Sequence, residues 1–178
     1  KVKITLVDDR CVPADHKDSN AKLIRDNLLQ NAARDAQFLP LYLGDSVLDD
    51  KEKAYEEEAE SMIDQHFPDY AVVILGMGGD AHTASIFPEA VERDKAVDAK
   101  QTRKCLITHP VTADYIRLTQ TLAHLVKTDF LALHIVGAEK TALLESVAES
   151  TANGAQGEYP ISHFIQQTQT PLSVYSCP

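Results

Sequence analysis

Apolar residues along this chain fall into two kinds of run, and the two kinds alternate. Tyr70-Ala-Val-Val-Ile-Leu75 and Phe130-Leu-Ala-Leu-His-Ile-Val136 are nearly continuous apolar stretches rich in β-branched side chains. Such runs predict strands buried on both faces of a parallel sheet. Shorter runs predict further strands at Val2 to Val7, Phe38 to Leu43, Cys105 to Thr108, Tyr115 to Thr119 and Leu172 to Tyr175, the last at a sheet edge. Between them the spacing turns helical. Asp18-Ser19-Asn20 supplies a cap for a helix to about Gln30, with Ala21, Ile24, Leu28 and Leu29 on one side. Ala54, Tyr55, Ala59, Met62 and Ile63 make the apolar stripe of an acidic helix, whose carboxylates read as a solvated face. Helices are also expected around Leu122 to Val126, from Gly137 to about Val147, and from Ile161 to Gln167.

Strands alternating with helices predict an α/β fold: a three-layer sandwich with a mostly parallel, Rossmann-like sheet and right-handed crossovers. With 178 residues and no repeat or low-complexity linker, residues 1–178 read as one domain. The chain opens almost directly on a strand, so an amino-terminal portion is expected to be missing.

Composition narrows the function classes. A formal charge of −10 disfavours nucleic acid and anionic membranes as partners, since both are bound through basic patches. No apolar run approaches the roughly 20 residues that span a bilayer, and no secretory signal opens the chain, so a cytoplasmic location is expected. Cys11, Cys105 and Cys177 are too scattered for a disulfide framework or a zinc site and read as reduced packing thiols. Of the histidines, His134 lies inside an apolar run and reads as a hydrogen-bonded core residue.

Four segments carry residues suited to a phosphorylated, carbonyl-containing ligand: Asp8-Asp9-Arg10, Gly76 to Thr83, Arg117 to Thr119, and Gly137 to Lys140. The second is the most informative. Leu75-Gly-Met-Gly-Gly-Asp-Ala-His-Thr-Ala-Ser-Ile-Phe-Pro88 runs out of a strand into a glycine turn bearing Asp80, His82 and Thr83. Ligands of parallel sheets bind at the strands' carboxyl ends, where His82 falls. A glycine turn leading toward a helix also offers backbone N–H groups and a dipole end to an anion. The spacing is neither the GxGxxG of dinucleotide sites nor a Walker loop.

Taken in order, Val7-Asp-Asp-Arg-Cys-Val-Pro-Ala-Asp-His-Lys-Asp-Ser-Asn20 resembles the DER-x-VP…DSN signature of the 6-phosphogluconolactonase family, and Leu75 to Pro88 resembles its LGxGxDGHTASLFP signature. Arg117-Leu-Thr119, Gly137-Ala-Glu-Lys140 and Tyr159-Pro160 fall in the order of further landmarks of that family, within the glucosamine/galactosamine-6-phosphate isomerase superfamily. The resemblance implies hydrolysis of 6-phospho-D-glucono-1,5-lactone to 6-phospho-D-gluconate in the oxidative pentose phosphate pathway. It implies no metal and no organic cofactor, and a phosphorylated sugar lactone as the small-molecule partner of a monomer or small homo-oligomer. His82 is then the general base and acid, since an imidazole titrates near neutrality, and Asp80 orients it. Glycine-turn amides, Gly78 among them, or an arginine stabilise the oxyanion. Arg10, Arg117 and Lys140 hold the phosphate, the local cation cluster that so acidic a protein needs.

The chain departs from that pattern at three places. Asp9 stands where the family has glutamate, and Ala81 where it has glycine, so Ala81 is expected at an ordinary negative φ. The family's first strand and its SGGSTP turn are absent, and a chain without them is expected to show a bare sheet edge and little activity. Two rivals remain: a sugar-phosphate isomerase or deaminase, which lacks its catalytic glutamate because Phe87 occupies that position, and a sensing module without turnover.

Overall fold

The structure is a computed structural model and describes residues 2–44, 49–154 and 157–177. The elements alternate as β1 (Lys3–Ile4), β2 (Asp8–Arg10), α1 (Asn20–Asn27), β3 (Gln37–Phe38), α2 (Glu52–His66), β4 (Tyr70–Leu75) and α3 (Arg93–Ala96). They continue as β5 (Cys105–Thr108), β6 (Arg117–Gln120), α4 (Leu122–Leu125), β7 (Thr128–Val136), α5 (Ala138–Ala152), α6 (Pro160–Gln166) and β8 (Leu172–Cys177). No helix among the described residues is long and apolar enough to cross a membrane.

The fold is α/β with mixed pairing. Two sheets are parallel, β1-β3 and β4-β7-β8; the third, β2-β6-β5, is antiparallel. The expected strand over residues 2–7 is therefore two strands in different sheets. Gln120 explains the break: its Nε2 donates to the Leu6 carbonyl at 2.7 Å and its backbone N–H to that of Val7 at 2.9 Å. Those carbonyls face β6 instead of continuing beside β3. The strand expected over residues 38–43 is only Gln37–Phe38.

Helix α1 begins as its cap residues dictate. The Ser19 hydroxyl accepts from the amides of Ala21 and Lys22, and the Asp9 carboxylate accepts from those of Asn20 and Ala21 at 2.7 and 3.1 Å. Asp9 thus joins the end of β2 to the positive end of α1. It is 1% exposed, and burial raises its carboxyl above the usual range against the pull of the Asn20, Ala21 and Arg10 amides.

The acidic face of α2 is not the solvated surface its charge run predicts. Glu60 accepts from the backbone amides of Lys104 (2.6 Å) and Cys105 (3.2 Å), Glu56 from that of Ile107 (2.7 Å), and both bind Arg103. These carboxylates satisfy the open edge of β5, a use that no periodicity reveals.

Register divides the β4-β7-β8 sheet into two faces. Val73 and Leu75, Leu131, Leu133 and Ile135, and Leu172 and Val174 lie on the face packed by α5 and α6. A hollow of about 480 Å³ remains there, between Leu144, Ile165, Leu172 and Val174. On the other face Val72 is 53%, Ile74 63%, Phe130 38% and Val136 59% exposed. The expectation of burial on both faces is corrected accordingly: on this side Tyr70 and Ala132 are buried, but Val72, Ile74, Phe130 and Val136 are left uncovered. His134 shares that face and is exposed, not a core residue.

The buried histidine is His124 instead, 2% exposed, edge-on to Tyr70, with neither ring nitrogen hydrogen-bonded. Burial, and then Lys104 and Lys127, hold its pKa down at about 4, below the ordinary 6.5. Unfolding therefore takes up a proton between those values, and stability falls as pH drops through that window. Thermal melts from pH 7 to pH 4.5 should show the fall, and His124→Leu should flatten it. Burial also depresses His163, so a residual slope is expected.

Candidate functional site

Adjacent parallel strands bring two of the four predicted segments to one edge. Leu75 pairs with Leu133, so the Gly76 loop after β4 and the Gly137 turn after β7 leave from the same carboxyl end of the sheet. The other two segments face each other: Arg10 of β2 lies opposite Arg117 of β6 in antiparallel register. Ser85 ties the pairs together. Its hydroxyl donates to Asp8 at 2.6 Å, its amide to the Thr119 hydroxyl at 3.2 Å, and its carbonyl accepts from Thr108 at 2.9 Å.

The loop itself is tightly folded on backbone bonds. Gly78 N–H donates to the His82 carbonyl (2.9 Å) and Ala81 N–H to the Gly78 carbonyl (3.1 Å), and the Thr83 hydroxyl donates to the Gly76 carbonyl (2.8 Å). It does not open a helix, contrary to the expectation of a dipole end there. Ala81 and Ala84 adopt φ of 63° and 49°, which turn the chain out of any helical path. The negative φ expected at Ala81 is thereby overturned. The closed 78–82 turn requires the left-handed conformation whatever residue is present, and alanine bears a cost of about 1–2 kcal/mol.

This turn aims the titratable pair. Asp80 Oδ1 lies 2.6 Å from His82 Nδ1 and also accepts from the His82 amide at 3.1 Å. With Nδ1 donating to the carboxylate, Nε2 keeps its lone pair. Gly78 is required for space, since a Cβ there would meet both the His82 ring and the Asp80 carboxylate. The imidazole stacks on Phe87, centroids 4.2 Å apart at 27°. Gly79 and Asp80 are exposed, and their backbone N–H groups have no partner among the described residues.

The arginines are held by neutral acceptors. Arg10 Nη1 donates to the Asp18 carbonyl and to Asn20 Oδ1 (2.6 Å), and its buried Nε has no partner. Arg117 donates from Nε and Nη2 to the Asp114 carbonyl and lies 5.6 Å from the Phe87 centroid. Among the described residues neither forms an ion pair, so Arg10 does not pair with Asp8 or Asp9. Burial, and then the charge of Arg10, pull Arg117 below its ordinary value. With no carboxylate partner, both guanidiniums leave their charge unneutralised and open to an anion.

Lys140 stands in the first turn of α5 beyond Gly137, whose φ is 109°. No hydrogen bond or ion pair among the described residues links it to the arginines or to His82. Ser85, Phe87, Asn20 and Asp114 were not singled out from sequence as site residues; their partners lie on other strands or in the backbone, and of the four only Asp114 lies outside the recognisable motifs. Burial raises the Cys11 and Cys105 thiols, which leaves them protonated. Among the described residues no His, Cys, Asp and Glu cluster is arranged to hold a metal.

The family profile described as glucosamine-6-phosphate isomerases/6-phosphogluconolactonase matches residues 1–173. The chain belongs to this family. It is 39% identical over 178 residues to a 6-phosphogluconolactonase of Mesorhizobium japonicum, covering 100% of this chain and 71% of that one. A Helicobacter pylori 6-phosphogluconolactonase is 40% identical over 172 residues, 97% of this chain and 70% of the relative. The crystal structure of a Shewanella baltica 6-phosphogluconolactonase superposes with a TM-score of 0.85 at 34% identity, over 98% of this chain and 71% of that one. The chain thus spans about seven tenths of these relatives' length.

The strain at Ala81 is testable in this family member. Ala81 is fully buried. Glycine should be tolerated there within about 1 kcal/mol, since relief of strain offsets lost burial and backbone entropy. Valine should cost roughly 2–4 kcal/mol. Chemical denaturation of the two variants measures both.

Proposed function

We propose that this protein hydrolyses 6-phospho-D-glucono-1,5-lactone to 6-phospho-D-gluconate, with residues 1–178 acting as one sugar-phosphate lactonase domain. The observation that carries the reading is a base-competent Asp80–His82 pair connected through Phe87 to an arginine pair without carboxylate partners. That the relatives are 6-phosphogluconolactonases supports the substrate class. A three-layer sandwich is the architecture that fits this reading, with α5 and α6 forming one outer layer.

His82 Nε2 takes a proton from water as its oxygen attacks the lactone carbonyl carbon, forming a tetrahedral oxyanion. Asp80 holds the imidazole in the required tautomer and stabilises the imidazolium. The N–H groups of Gly79 and Asp80 are donors for the oxyanion, and Gly78 gives the turn room to present them. The bond between the carbonyl carbon and the ring oxygen then breaks, and the imidazolium returns its proton to that oxygen. Arg10 and Arg117 bind the phosphate, with Lys140 contributing from the α5 start. Phe87 argues against the isomerase or deaminase reading, since a buried apolar ring offers no acid for ring opening.

Fresh lactone, corrected for spontaneous hydrolysis in a coupled assay, should disappear faster with the protein and need neither metal nor nucleotide. His82→Ala should abolish that acceleration while 6-phosphogluconate still binds; retained turnover would remove His82 from the chemistry. Gly78→Ala should lower turnover about 100-fold by displacing the imidazole, with circular dichroism unchanged.

A further inference from the structure

We propose that Phe87 is a positioning residue, which fixes the His82 imidazole and the Arg117 guanidinium through one aromatic ring; this rests on the lactonase reading. The hydrogen bond to Asp80 constrains only one edge of the imidazole. A ring held by one edge still rocks about that contact. Gly78 closes the space beside the Nδ1 and Cε1 atoms, and Phe87 covers a ring face at 4.2 Å, nearly parallel. Together the three contacts leave the Nε2 edge as the one that meets a reacting water.

The same phenyl ring lies beneath Arg117, whose carbon Cζ is 5.6 Å from its centroid. Phe87 is 3% exposed, so it is itself held fast. The Arg117 guanidinium donates only to the Asp114 carbonyl among the described residues.

An aromatic face suits both tasks for one physical reason. A carboxylate would orient a guanidinium more strongly, but it would neutralise the charge meant for a phosphate. The negative face of a phenyl ring attracts the cation and leaves its N–H donors free. The imidazolium formed in the reaction receives the same help, while its Nε2 proton stays available to the departing oxygen.

Phe87→Leu keeps an apolar side chain and removes the π face. Expected results are a fall in kcat of about tenfold or more and weaker binding of 6-phosphogluconate and of inorganic phosphate by about 2- to 5-fold. In the unaltered protein, the His82 ring protons should resonate upfield of those of free histidine because of the phenyl ring current. In Phe87→Leu they should return to the free position. Leucine at unchanged kcat and affinity per folded molecule, with only a lower Tm, would reduce Phe87 to a core filler and overturn the proposal. Unshifted His82 ring protons in the unaltered protein would overturn it even if the variant does not fold. A protein that leaves the lactone untouched, yet shows the ring-current shift and the Phe87-dependent phosphate affinity, overturns the lactonase reading alone.

Discussion

Two arginines placed opposite one another on neighbouring strands, with no carboxylate between them, set the terms for the rest of this structure. Like charges at directly opposed positions of an antiparallel pair destabilise it. Arg10 and Arg117 nevertheless occupy such a position, held by the Asp18 and Asp114 carbonyls and by Asn20. In a chain of net charge −10, acidic side chains capable of quenching them are plentiful. Those close by are committed elsewhere: Asp9 to the start of α1, and Asp8 to Ser85. A local region of positive charge therefore survives inside an acidic protein, within a screening length of about 8 Å. An anion with several oxygens placed between the two guanidiniums would relieve that repulsion.

Backbone strain holds the Asp80–His82 pair in place. Positive φ at Ala81 and Ala84 folds the loop after β4 back on itself, so that Asp80 and His82 share one short turn and Ser85 reaches across to Asp8 and Thr119. Left-handed alanines are tolerated where surrounding bonds over-determine the backbone. Here the Gly78–His82 bond, the Asp80 carboxylate and the buried hydroxyls of Thr83 and Ser85 do so.

Much of this was legible in the chain because it is local. The Tyr70–Leu75 strand, the Ser19 cap and the Cys105–Thr108 strand depend on neighbours a few residues apart, and pattern reads them directly. The Asp80–His82 pair is likewise a two-residue relation. What pattern does not carry is pairing between distant segments. Glu56 and Glu60 look solvated until β5 is seen beside them, and Ser85 looks like loop filler until Asp8, 77 positions earlier, is its acceptor. The sign of φ at Ala81 was misread for a related reason: side-chain preference was weighed without the hydrogen bonds that close the turn.

The apolar face of β4 and β7 bears on how firmly the loop carrying Asp80 and His82 is held. Parallel sheets are covered on both faces, and Val72, Ile74, Phe130 and Val136 form the kind of surface such cover requires. The Gly76–Pro88 loop grows from the end of β4, so any slackness in that strand passes into the turn that aims His82. Bonds internal to the loop and its ties to β2 and β6 work against this, since they anchor Ser85 and Phe87 to the antiparallel sheet rather than to β4. The loop is thus pinned from the arginine side, and the imidazole keeps its relation to Arg10 and Arg117 even where much of one face of its own strand is uncovered.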